Sequence, residues 1–313
     1  MRKIIVTLLA VSLISFLSVS EAYSAVKKIK NTTIPKPTLA ILDTAIDSSL
    51  PIFKDKLIYE ACVLEWDTCP NGQSFMEGPG SASMTESMYG KEPFYHGTGM
   101  ASTALITNPD INIVFVRISG QDQYGNKQPA SEKTVVNAML WVFDNKDKFN
   151  IKAVSMSQGD HRFATKDPTY CNESTGVEIA VKLLLDYDIP SFFPAGNDSD
   201  KSRIDWPACI LDSISVGSAT RSGLDYYTNS DSKRLDFYTE GSIKAIYPKG
   251  EERKIMGTSV ATQIAAAKWL DLYAYNPSMN TKSLYKLFYK TSNIIRGYDG
   301  AVRLINLKGA ING

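Results

Sequence analysis

Thr38-Leu39-Ala40-Ile41-Leu42-Asp43 is the stretch that decides how this 313-residue chain is read: four apolar residues in a row, entered from a threonine and stopped by a carboxylate. Such a run lacks the polar alternation of a strand with one face in water, so it predicts a strand covered on both faces, as in a parallel sheet. The pattern returns at Ile111 to Ile118, Ala153 to Ser157, Pro190 to Ala195 and Ser213 to Ser218. Between these runs, Ser131 to Phe149 and Thr175 to Tyr187 carry apolar residues at helical spacing, and the second opens with a capping box of Thr175 and Glu178. Strands alternating with helices predict an α/β fold of three layers, a mostly parallel central sheet with helices on both faces.

In such sheets functional groups collect at the carboxyl ends of the strands. Asp43 closes the first strand in Leu42-Asp43-Thr44-Ala45-Ile46-Asp47. His96 begins a predicted helix in His96-Gly97-Thr98-Gly99-Met100-Ala101-Ser102, and Ser259 precedes a long apolar helix to Tyr275 in Gly257-Thr258-Ser259-Val260-Ala261-Thr262. The chain has only two histidines, so an imidazole base working near neutral pH must be His96 or His161. His161 lies in the polar run Gly159-Asp160-His161-Arg162, which reads as a surface loop. A carboxylate, an imidazole and a hydroxyl held on rigid element ends can meet and form an activated nucleophile.

Composition bounds the setting. Residues 1–22 read as a secretory signal: Arg2 and Lys3 start it, Ile4 to Leu17 form its apolar core, and Ser20-Glu21-Ala22 offers a small-x-small cleavage site. Residues 23–37 read as a short leader and 38–313 as one domain, with no internal linker or repeat. The expected location is therefore exported, secreted or periplasmic. The whole chain carries a net charge of +1, and loss of Arg2, Lys3 and Glu21 leaves the balance near zero. Nothing in that balance points to nucleic acid or an anionic membrane as partner. Four cysteines suit disulfides in an exported chain. Three pairings are open, Cys62 with Cys69 plus Cys171 with Cys209 being the most local, and free buried thiols are the alternative. With no CxxC or HxxxH spacing, neither a metal site nor a cofactor is expected.

Taken together, these motifs resemble those of the subtilisin-like serine proteases, or subtilases, whose order of Asp, then His, then Ser is matched by Asp43, His96 and Ser259. The resemblance runs from about residue 38 to 311. It implies that Asp43, His96 and Ser259 form a catalytic triad acting on a protein or peptide substrate. Ser155-Met156-Ser157-Gln158-Gly159 resembles the family's substrate-binding strand, and Pro194-Ala195-Gly196-Asn197 the segment whose Ala195 and Gly196 face substrate and whose Asn197 serves the oxyanion hole. Two plainer roles stay open: Ser259 as a helix cap and Asn197 as a left-handed loop residue.

In the family, the residue before the aromatic-Pro segment lies near the base of the primary specificity pocket, here Asp205 in Asp205-Trp206-Pro207. A carboxylate there would favour Lys or Arg before the cut bond; the alternative is a loop Asp paired with nearby Arg203. Gln263 stands where the family usually has Pro, Gly99 where a second His is common, and Ala45 where Gly often follows the Asp. Altered neighbours of this kind keep a second function class open, a subtilase-fold binding protein without catalysis. The connection from Cys62 to Tyr95 is long and is expected to shape the cleft. The leader is shorter than the family's prodomain, so folding unaided or with an unidentified folding or regulatory partner is expected. Thr107-Asn108-Pro109-Asp110 is too short for the family's calcium loop, so no tight calcium site is expected there.

Overall fold

Successive side chains of a strand point to opposite faces, and in β1 (Thr38–Asp43) both faces are apolar and wholly buried. Leu39 and Ile41 enter one core cluster, Ala40 and Leu42 the other. A strand of this kind must have cover on each side. The computed structural model describes residues 35–159, 171, 176–229, 234–298 and 300–312. The signal segment 1–22, most of the leader, the 160–162 part of the His161 loop and Thr175 of the capping box lie outside the described residues.

The strands are β1, β2 (Leu57–Val63), β3 (Phe75–Glu77), β4 (Asn112–Arg117), β5 (Ile151–Met156), β6 (Ser191–Pro194), β7 (Ile214–Thr220), β8 (Gly223–Leu224), β9 (Phe237–Thr239), β10 (Ser242–Ile246), β11 (Glu252–Met256), β12 (Asn293–Arg296) and β13 (Ala301–Leu304). The helices are α1 (His96–Thr107), α2 (Glu132–Asn145), α3 (Gly176–Asp186), α4 (Thr258–Tyr275), α5 (Thr281–Thr291) and α6 (Leu307–Asn312). The main sheet runs β12-β13-β9-β7-β6-β5-β1-β4-β2-β3, with β8 paired to β7. From β9 to β2 every pairing is parallel. The chain lays β2 and β4 on one side of β1 and β5, β6 and β7 on the other, so β1 and β5 stand where the direction of winding changes. A crevice opens beyond the carboxyl ends of strands at such a point, and Asp43 and Ser157 sit there.

On one face, Ala101, Ala104 and Leu105 of α1, Ala261, Ala265 and Trp269 of α4, and Phe288 of α5 pack on Leu39, Ile41, Phe115 and Phe192. On the other, Val135, Ala138 and Val142 of α2 and Val177, Val181 and Leu184 of α3 cover Ala40, Leu42, Val114 and Met156. Helix α4 is buried for most of its circumference, which explains why its sequence is alanine-rich with no polar stripe.

The expected strands are present, their ends differing by at most two residues. Ser131 stands outside α2 as its cap, its hydroxyl oxygen accepting from the Thr134 N–H at 3.1 Å. The cysteines pair as Cys62–Cys69 and Cys171–Cys209. The connection from Cys62 to Tyr95 contains β3 and single-turn helices, and only its end, Glu92 and Pro93, reaches the cleft.

Trp269 is 1% exposed and meets Phe192 and Phe288 edge-on and tilted. Trp269→Ala should cost about 3–5 kcal/mol, read as a lower denaturation midpoint in urea.

Candidate active site

Asp43 is fully buried at the carboxyl end of β1. Its Oδ1 accepts from the Thr44 N–H at 2.7 Å and lies 2.8 Å from His96 Nδ1. Helix α1 brings His96 there because Gly97 has no side chain: a Cβ would run into the Ala45 carbonyl oxygen. The rest of the motif ties helix to strand exit. Gly97 N–H donates to Thr44 Oγ1 at 2.9 Å, and Asp47 N–H to Thr98 Oγ1 at 2.9 Å. His96 keeps 29% of its side chain exposed, open to an adjoining cleft.

Ser259 is the second residue of α4, and Gly257, not Ser259, occupies the cap position. Its Oγ donates to the Ser157 carbonyl oxygen at 3.2 Å, while Ser157 Oγ donates to the Ser259 carbonyl at 3.0 Å. Among the described residues no hydrogen bond joins Ser259 to His96. The two share the wall of one cleft of about 600 Å³. A hydroxyl rotates freely about χ1, and such bonds often tighten only when substrate is bound.

Asn197 follows β6 in the same cleft. Its Oδ1 accepts from the Thr258 N–H at 2.9 Å and Thr258 Oγ1 at 3.1 Å. A backbone N–H only donates, so the amide oxygen faces Thr258 and the NH2 end is left for the cleft. The left-handed backbone falls on Gly196 and Ser199 instead of Asn197.

The proposed substrate strand divides by side. Ser157, Gln158 and Gly159 line the cleft, as does Gly196. Ser155, Met156 and Ala195 do not: their side chains are buried in the fold, Ser155 toward α4 and Met156 under α2 and α3, because strand side chains alternate. Asp205 forms part of the cleft lining at 2% exposure, and Asn229 Nδ2 donates to its Oδ1 at 3.0 Å. Arg203 pairs with Asp200 at 2.6 Å. Asn229, fully buried, also accepts from the N–H groups of Asp198 and Asp200 at 2.9 Å and so holds the loop after Asn197. No motif signals it. Among the described residues, no group of three or more His, Cys, Asp or Glu is placed to hold a metal.

The family description that matches residues 35–304, nearly the whole described chain, is that of the subtilases, peptidase S8. This chain belongs to the subtilase family. A cell wall-associated protease of Bacillus subtilis (strain 168) is 31% identical over 102 residues, 32% of this chain, so the chain matches only 11% of that larger protein. Among solved structures, a Pseudoalteromonas arctica PAMC 21717 protease superimposes with a TM-score of 0.72 at 15% identity, over 89% of this chain and 90% of that one. A cold-adapted subtilisin-like serine proteinase gives 0.63 at 20% identity, over 86% and 88%. These structures establish the subtilisin-like fold.

Within this subtilase the departures from the family pattern have physical partners. Where Pro is usual, Gln263 is fully buried, its Nε2 donating to Ser157 Oγ at 2.9 Å and its Oε1 accepting from Ser155 Oγ at 2.9 Å. The amide thus bolts α4 to β5 and the residue just beyond it, beside Ser259. Where a second His is common, Gly99 leaves room for the ring of Tyr247: a Cβ at Gly99 would lie 2.7 Å from Tyr247 Cε2. Burial raises the Tyr247 phenol above its ordinary range, and the ring lies 5.1 Å from the Arg253 guanidinium.

Gly99→Ala should therefore destabilise by about 1–3 kcal/mol, and Tyr247→Ala in the same chain should recover much of that loss. Thermal unfolding of the single and double variants measures the coupling.

Proposed function

We propose that residues 38–313 form the catalytic domain of an exported serine endopeptidase that uses Asp43, His96 and Ser259 as its triad. The observation that carries this reading is one cleft lined by His96, Ser259 and Asn197, with Asp43 at 2.8 Å behind the imidazole. His96 takes the Ser259 proton as Oγ attacks the peptide carbonyl, then gives it to the leaving amine. Asp43 holds the imidazole in one tautomer and stabilises the imidazolium that forms. Water then attacks the acyl-serine ester, and the same base returns the proton to Ser259. The oxyanion of each tetrahedral intermediate is met by the Asn197 NH2 and the Ser259 N–H.

Asp205 supplies the specificity: a buried carboxylate in an accessible pocket rewards a Lys or Arg side chain that can pair with it. Export is supported by the signal-like residues 1–22 and by two disulfides. The turn of Ser259 Oγ toward Ser157 favours the second reading, a subtilase-fold binding protein that no longer catalyses.

A fluorophosphonate separates the two. The endopeptidase reading expects modification of the wild type and none of Ser259→Ala, whereas no modification of either supports the binding protein. Asn197→Ala should lose about 10²–10³-fold in turnover, a magnitude that belongs to the corresponding donor of subtilisin and is carried over within the family.

On peptides differing only before the cut bond, Arg or Lys should exceed Leu by about 10- to 100-fold, the size of one charge-assisted hydrogen bond. Asp205→Ser should erase that ratio. Equal cleavage after Leu by the wild type removes the Lys/Arg preference.

A further inference from the structure

Behind the Asp43–His96 pair the hydrogen bonds continue through two residues for which the triad reading has no use. Gln158 Nε2 lies 3.0 Å from Asp43 Oδ1 and 3.3 Å from His96 Nδ1. At its other end, Gln158 Oε1 accepts from Lys127 Nζ at 2.8 Å. An ammonium has no acceptor, so this contact dictates that the amide oxygen faces Lys127 and the NH2 faces Asp43. Among the described residues Lys127 has no carboxylate within ion-pair distance, and burial pulls its ammonium below the ordinary lysine range against the opposing charge of Asp43.

The loop that carries Lys127 is held in place independently of substrate. Gln121 and Lys127 face each other in an antiparallel bridge. Asp122 Oδ1 accepts from the N–H groups of Tyr124 and Asn126, both at 2.8 Å. Lys91 Nζ donates to the Gly125 carbonyl at 2.7 Å, and the Gln121 N–H donates to Asp67 Oδ2 at 2.7 Å.

We propose that Lys127 and Gln158 are positioning residues that set the acid limit of the enzyme, Lys127 orienting Gln158 and Gln158 sharing Asp43 Oδ1 with His96. The inference rests on the triad reading above. A carboxylate favours the protonated imidazole beside it; a second donor on the same oxygen and a cation behind it both weaken that preference. Reaction of the serine then persists to lower pH than with Asp43 alone behind the imidazole. The other charged or titratable groups around His96 are Glu92 and Arg253, paired with each other at 2.9 Å, Lys254 on β11, Tyr95 and Tyr247, with Asp205 also lining the cleft. All of them stay unchanged in the variants below, so differences report Lys127 and Gln158.

The test is the rate of fluorophosphonate labelling between about pH 4 and 9. In that step Ser259 Oγ bonds to phosphorus, the P–F bond breaks, fluoride leaves and His96 accepts the serine proton. For Lys127→Met the pH of half-maximal labelling on the acid side should rise by about half a unit. Gln158→Leu should shift it at least as far and lower the optimum rate about 3- to 10-fold. Lys127→Arg, which keeps charge and donor, should return the wild-type midpoint. Midpoints of Lys127→Met and Gln158→Leu that coincide with the wild type overturn the proposal while a labelled wild type leaves the triad standing. A wild type that never labels overturns the triad reading and this inference with it.

Discussion

A buried carboxylate must be met by donors or the fold cannot hold it charged, and in this molecule that requirement falls on Asp43. Three donors converge on its Oδ1: the Thr44 N–H, His96 Nδ1 and Gln158 Nε2. Each comes from a different part of the chain, the exit of β1, the first residue of α1 and the segment after β5. The one group therefore draws together strand exit, helix start and cleft wall. The parallel register of β1 with β4 and β5 buries the strand on both faces and leaves its carboxyl end as the only place from which Asp43 can reach these donors.

The same economy appears where the chain departs from its family. Gln263 and Gly99 each change the volume or polarity beside Ser259 and His96, and each is matched by a residue distant in sequence. Gln263 finds two serine hydroxyls, Ser155 of β5 and Ser157 just beyond it, whose own needs it satisfies in return. Gly99 yields its space to Tyr247, which comes from the turn between β10 and β11. A buried amide with both ends bonded is tolerated where a half-bonded one would not be.

Much of this was legible in the sequence, for identifiable reasons. Apolar runs such as Leu39 to Leu42 and Ile113 to Val116 announce buried parallel strands because no polar alternation interrupts them. The positions of Asp43, His96 and Ser259 follow from motifs at strand and helix ends. Asn229, Tyr247 and Lys127 were not legible, because each acts through a contact more than twenty residues away and sits in no periodic pattern. The strands β2, β3 and β8 to β13 escaped for other reasons: Glu60 interrupts the apolar run of β2, the rest are five residues or fewer, and β11 opens on the three successive charges Glu252, Arg253 and Lys254. For Ser155, Met156 and Ala195 the motif names the residues, while the pleat turns their side chains into the fold and away from the cleft.

The Cys62–Cys69 bridge joins residues seven apart in sequence and encloses Asp67, whose Oδ2 receives the Gln121 N–H and lies 3.5 Å from the buried Arg117 guanidinium. A covalent crosslink at the sheet edge is thereby tied through one carboxylate to the wall beside the imidazole. The conformational entropy of that wall is surrendered when the chain folds and oxidises, so it does not have to be surrendered again each time a peptide docks.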